Sequence, residues 1–144
     1  MKLSTKGKYG LIAIADLALA YKDANEENYV VLKTIAKKRN ISEAYLERIV
    51  AKLKKGDLVK TQRGSLGGYC LAKSPKEIKI SEVLYLLEGP LDVCGCGGKD
   101  IVGNSCEKSS SCISNIVCDK INEKIKETIE NMTVEDILSS YYLG

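Results

Sequence analysis

Residues Ser42–Leu71, SEAYLERIVAKLKKGDLVKTQRGSLGGYCL, decide how the rest of the chain is read. Ser42 can N-cap a helix, and Glu43 suits the positive end of its dipole. Leu46, Ile49, Val50 and Leu53 recur at i, i+3, i+4 and i+7, which makes one buried stripe, and Gly56 predicts the stop. Beyond it, Leu58–Gln62 and Tyr69–Ala72 read as two strands joined by the loop Arg63–Gly68, where glycines permit a tight turn. Upstream, Leu32–Lys38 reads as a short helix and Arg39-Asn40-Ile41 as a turn, with Asn40 suited to a left-handed cap. Two short helices about a tight turn, then a hairpin, is the order of a winged helix-turn-helix.

In that fold the second helix enters the major groove of DNA. Opposite its apolar stripe stand Ala44, Tyr45, Glu47, Arg48 and Lys52. Arg48 can donate two hydrogen bonds to guanine, and Glu47 can accept one from a cytosine amino group. Ala44 or Tyr45 can touch a thymine methyl or a phosphate, while Lys52, Lys54 and Lys55 suit phosphate or solvent. The hairpin tip would be a wing. There Gly64 lets backbone approach a phosphate, and Arg63 projects toward a narrow, strongly negative minor groove. No Gly-Lys-Ser/Thr follows and no helix begins after Gly68, so a nucleotide-phosphate loop is a poor match. An ordinary hairpin with a solvated arginine is the alternative.

Around this centre, Thr5 to about Lys22 reads as a first helix with Tyr9, Ile12, Ala13, Leu17 and Ala20 at helical spacing. Residues 23–28 make a polar loop, and Tyr29-Val30-Val31 a short strand. Pro75 ends the hairpin, Ile80–Leu87 is a further helix, and Gly89-Pro90 closes it. Residues 92–111 form a loop rich in Gly, Ser and Cys, followed by helices over Cys112–Met132 and Val134–Tyr142. On the first of these, Ile113, Val117, Ile121, Ile125, Ile129 and Met132 make a stripe longer than a small monomer's core readily covers. Packing against a second copy is the simple solution, and packing on the first helix the alternative. The expected architecture is mainly α with a small β-hairpin wing: a DNA-binding part at 1–80, then a cysteine-rich sensor loop and dimerisation helices at 81–144.

Charge divides the chain in the same place. Residues 1–79 carry 17 Lys and Arg against 8 Asp and Glu, a net of +9, whereas residues 80–144 carry 5 against 11, a net of −6. A basic half of this kind faces a polyanion or forms a solvated lysine-rich surface. Of six cysteines, five lie between Cys94 and Cys118, and there is no histidine. The absence of histidine removes Ser-His-Asp and Cys-His catalysis and every His-containing metal site. Cys94-x-Cys96 followed by Cys106-x5-Cys112-x5-Cys118 is not a zinc-ribbon spacing. A loop with several thiolates can wrap an iron–sulfur cluster, or it can hold reactive thiols that form disulfides. The richest apolar run, Leu11–Ala20, is too short for a bilayer and holds Asp16, and the start lacks the apolar core of a signal peptide. The expectation is a cytoplasmic protein with no membrane partner.

Over nearly its whole length the chain resembles the IscR-type family of bacterial transcription regulators. The resemblance is carried by MKLSTKGKYG at the start, by ISEAYLERIVAKLKKGDLVKTQRGSLGGYCLAK, and by CISNIVCDKINEKI with MTVEDIL behind it. It implies a homodimeric winged helix-turn-helix repressor that binds an imperfectly palindromic operator, with no small-molecule substrate and no enzymatic activity. Family DNA contacts fall on Ala44, Tyr45 and Arg48 in the recognition helix and on Arg63 in the wing, with Glu47 facing the groove. The resemblance also implies a [2Fe–2S] cluster on three loop cysteines and one further ligand. Cys106 and Cys112 match the second and third cysteines. The first aligns near Asp100, so Cys96 or Cys94 must serve, and the family's histidine is replaced by Asn115. Binding by both Cys94 and Cys96 is the favoured repair; Cys118 or an outside group are the others. Cys118 stands where the family carries a large aromatic and reads as core, as does Cys70 within its strand. Rival readings are a cluster-free thiol-based redox or cysteine-metabolism regulator of the same fold, an iron–sulfur carrier or redox enzyme, and a zinc-stabilised interaction module.

Overall fold

The computed structural model describes residues 3–24, 29–62, 67–93 and 113–143. Its elements are α1 (Thr5–Ala24), α2 (Leu32–Arg39), α3 (Glu43–Lys55), β1 (Val59–Gln62), β2 (Gly68–Leu71), α4 (Ile80–Glu88), α5 (Ile113–Glu130) and α6 (Val134–Leu143). Each predicted helix and both predicted hairpin strands are present, with ends shifted by one or two residues, whereas the short strand expected at residues 29–31 is not.

The longest helix is also the most enclosed. Helix α1 buries Ala13, Ile14, Leu17 and Ala18, and it packs against α3, α4, α6 and β2. Elements on several sides explain why the deepest residues differ from the single stripe expected through Tyr9 and Ile12. One hydrophobic core gathers Leu46, Ile49, Val50 and Leu53 of α3 with Val83, Leu84 and Leu87 of α4 and Val134 and Leu138 of α6. Burial of four such side chains of α3 removes enough apolar surface to contribute roughly 1.5–3 kcal/mol each.

The two strands pair antiparallel, Val59 opposite Leu71 and Gln62 opposite Gly68. The expected strand at residues 29–31 is a single bridge: Val30 N–H donates to the Tyr69 carbonyl (2.7 Å), and Tyr69 N–H donates to the Val30 carbonyl (2.8 Å). Gly68 is required at this bridge, since a Cβ there would lie 2.7 Å from the Val30 carbonyl oxygen. A second bridge joins Lys79 to Thr133 and fixes the start of α4 to the start of α6.

Asp16 lies inside α1 with its side chain 5% exposed, yet it is fully engaged. Arg39 Nε and Nη2 donate to its two oxygens at 2.9 and 2.7 Å, and Lys38 Nζ donates at 3.3 Å. Burial pushes the carboxyl's pKa up, but the Arg39 hydrogen bonds and charge, with Lys38, more than offset this and hold it below the usual carboxylate value. The carboxylate therefore ties α1 to the end of α2, at the helix-turn-helix corner. Because the folded pKa is depressed, its stabilisation is complete above the unfolded pKa and fades as pH falls through the folded one. Asp16→Asn is expected to cost about 1–3 kcal/mol at neutral pH in urea unfolding. The gap to wild type should narrow as pH drops below about 4; a gap constant with pH would refute the ion pair.

Candidate nucleic-acid interface

The corner between α2 and α3 has the geometry of a tight helix-turn-helix. Asn40 adopts φ 54° and ψ 48°, the left-handed conformation that asparagine tolerates, and its N–H donates to the Lys37 carbonyl at 3.4 Å. Ile41 N–H then donates to the Ala36 carbonyl at 2.9 Å, and the Ile41 side chain is buried. Ser42 Oγ accepts from Tyr45 N–H at 3.4 Å, capping α3 as its sequence position predicts. Helix α3 stops at Gly56 as its sequence predicts. Gly56 has φ −86°, and the left-handed residue is Asp57 at φ 60°. A Cβ at Gly56 would meet the Leu86 side chain of α4.

With Leu46, Ile49, Val50 and Leu53 turned inward, the opposite pole of α3 carries Ala44, Arg48, Ala51 and Lys55, all exposed. Glu47 stands exposed on one flank and Lys52 on the other. Tyr45 lies on the Lys52 flank, half-buried, and its ring meets Tyr9 of α1 edge-on, with centroids 5.9 Å apart and an interplanar angle of 78°. The structure thus gathers Ala44, Glu47, Arg48 and Lys52 on one open surface and places Tyr45 at its margin. Arg63 and Gly64 lie outside the described residues; the base of their hairpin does not.

One neighbour of this surface was not anticipated. The ammonium groups of Lys6 on α1 and Lys55 hold the Lys52 pKa below the ordinary lysine value, with Lys6 the larger influence. The basic start of α1, KGKYG, was the signal for it. Its first turn is fixed in place: Ser4 Oγ accepts from Gly7 N–H (3.2 Å), and both the Ser4 N–H (2.9 Å) and hydroxyl (2.5 Å) donate to Glu88 Oε1 at the end of α4.

Cys94, Cys96, Cys106 and Cys112 lie outside the described residues. The chain leading to them is anchored on α5, where Asn122 Oδ1 accepts from Val93 N–H (2.9 Å) and Asn122 Nδ2 donates to Asp92 Oδ1 (3.2 Å). Cys118 sits one helical turn before Asn122 on α5 and is 6% exposed. It is buried as expected, but it is also disulfide-bonded, to a partner outside the described residues. Cys70 is buried in β2 outside any disulfide, and its thiol donates to the Leu71 carbonyl at 3.1 Å. Asn115, at the position of the family histidine, falls in the first turn of α5 and offers an amide where a cluster takes thiolate or imidazole. Among the described residues no group of three Cys, Asp or Glu is placed to hold a metal, and no helix is long and apolar enough to cross a membrane. A cluster would take the thiolates of Cys94, Cys96, Cys106 and Cys112; because Cys70 is in no disulfide, the disulfide at Cys118 claims one of these four, so the cluster and that disulfide are alternative states of one segment.

The N-terminal half of the α5 apolar stripe faces outward, whereas Ile129 packs against the core. Ile113 is 79% exposed, Ile116 50%, Val117 52% and Ile121 42%. A shallow groove of about 610 Å³ runs along it between Val117, Ile121, Ile125 and Ile129.

Comparison with known proteins agrees with this geometry. An HTH-type transcriptional regulator IscR of Cereibacter sphaeroides is 34% identical over 140 residues, 97% of this chain and 88% of that protein. The solved structure of T. potens IscR shares 35% identity and a TM-score of 0.75, covering 98% of this chain and 88% of that one. CymR of B. subtilis, described as the global cysteine regulator, shares 32% identity and a TM-score of 0.75, covering 97% and 98%. These are regulators rather than enzymes, and the chain has their winged-helix fold. Residues 3–140 match the family model Rrf2, an iron-dependent transcriptional regulator, and the chain belongs to the Rrf2 family.

Proposed function

We propose that the protein binds operator duplex DNA as a cytoplasmic homodimer and represses transcription according to the state of its cysteines. The observation that carries the reading is the open face of α3, with Ala44, Arg48 and Lys55 exposed above a fully buried stripe and a capped turn before it. Arg48 reads a base edge, Glu47 the groove beside it, Lys52 a phosphate, and Arg63 with Gly64 the wing contact. Residues 1–80 form the reading part, and 81–144 the sensing and dimerising part. The exposed isoleucines of α5 support a two-fold dimer, which would set two α3 helices about one turn of DNA apart.

Cys94, Cys96, Cys106 and Cys112 would hold a [2Fe–2S] cluster, their thiolates being the donors such clusters take; the family's iron dependence supports this. When bound, the cluster supplies a one-electron redox couple. The disulfide at Cys118 favours a second reading of the same segment, a switch in which two thiols lose two electrons to a peroxide-class oxidant, form a disulfide and release water.

Three measurements test these statements. Duplexes selected by the wild type from a randomised pool should be inverted repeats, and Arg48→Ala should weaken binding to them by roughly 1–3 kcal/mol, about 5- to 150-fold. Equal affinity for every sequence would refute base reading by α3. Ile121→Glu should sediment as a monomer while keeping its thermal midpoint, and a persistent dimer would place the interface elsewhere. Anaerobically purified protein should carry about two iron and two sulfide per chain with thiolate-to-iron absorbance; iron-free, colourless protein that loses thiols on peroxide treatment would select the disulfide reading.

A further inference from the structure

Helix α1 and the reading helix α3 share one flank. Moving back along α1 from Tyr9 to Lys6 means moving on along α3 from Tyr45 to Lys52: the tyrosine rings stack edge-on, and one turn of α1 and two of α3 bring the two lysines to the same flank, where the charge of Lys6 lowers the Lys52 pKa. Helix α1 packs directly on α3 along this flank. The Ser4 cap and the Ser4–Glu88 hydrogen bonds fix the turn that carries Lys6. Lys55, one turn from Lys52, adds a third positive charge. Among the described ion pairs none of the three lysines meets a carboxylate.

Two ammonium groups on one flank repel, and an anion between them would turn that repulsion into attraction. The flank they occupy borders the open face of α3 toward its C-terminal end. When the N-terminal part of such a helix lies against bases, that end passes over the phosphate backbone that walls the groove. The ligand chemistry that matches is a single phosphodiester, one negative charge shared by two donors, with both lysines able to turn three N–H groups toward its oxygens.

We propose that Lys6 and Lys52 together seat one backbone phosphate of bound DNA, making the start of α1 part of the DNA-binding surface. This rests on the DNA-binding reading above. The seat supplies affinity and register but no base selectivity.

The test uses the full chain and a mixed-sequence duplex of about thirty base pairs, three helical turns. Binding is followed by fluorescence anisotropy between about 50 and 200 mM salt. Each neutralised phosphate contributes about 0.9 to the slope of log affinity against log salt. Lys6→Ala and Lys52→Ala should each reduce the slope by up to about 0.9 per protomer, and the double variant by no more than about 0.9, because the two side chains serve one phosphate. Lys6→Arg should retain the wild-type slope, and Lys6→Ala should melt at or above the wild-type temperature because a repulsion is removed. Wild-type binding with an unchanged slope in Lys6→Ala overturns the seat and leaves the DNA reading intact. Additive loss in the double variant overturns the sharing of one phosphate. A wild type without salt-dependent binding overturns both the seat and the reading.

Discussion

Everything that faces outward on α3 depends on what its other side buries. Leu46, Ile49, Val50 and Leu53 are held against α1 and the elements around it, and this fixes the rotation of the helix about its own axis. A rotation of one residue would move every side chain on the open face by about 100°. Arg48 would then leave the centre of that face, and the pattern presented to a groove would change. The left-handed turn at Asn40 and the Ser42 cap set where the helix begins, while the apolar stripe sets which way it points. Reading chemistry on the surface is therefore determined by packing chemistry beneath it.

That dependence explains how much of the molecule was legible from residues alone. Turn residues act locally, so Asn40, Ser42 and the glycines of the hairpin marked the helix-turn-helix and the wing. The periodicity of α3 and α5 marked their apolar faces for the same reason. Pairings across long stretches of chain left no such mark. Ser4 meets Glu88 across 84 positions, and Asp16 meets Arg39 across 23. In sequence Asp16 reads only as an interruption of an apolar run; in the fold it is a nearly buried anion with two cationic partners. Likewise Tyr45 reads as exposed by its spacing, but Tyr9 arrives from another helix and covers one side of it. The α3 stop at Gly56 was legible, but the left-handed residue that follows it, Asp57, was not.

The cysteine segment joins the two ends of this arrangement. It leaves α4 immediately after Glu88, the residue that holds the first turn of α1, and its lead-in is fastened to α5 by Asn122. Helix α5 in turn presents the uncovered isoleucines. A single stretch of chain is thus bounded on one side by the support of the basic surface and on the other by the apolar helix. The disulfide at Cys118 lies at that second boundary, one turn from the Asn122 anchor.

The bridge at Gly68 has a mechanical consequence. Its Cα lies so near the Val30 carbonyl that not even a methyl group fits between them, and paired hydrogen bonds lock Val30 to Tyr69 directly ahead of α2. The base of the hairpin cannot hinge against the segment leading into α2 without breaking both bonds, so the two are mechanically coupled. A displacement of the lead into α2 is thereby passed on to the foot of the hairpin, and the reverse.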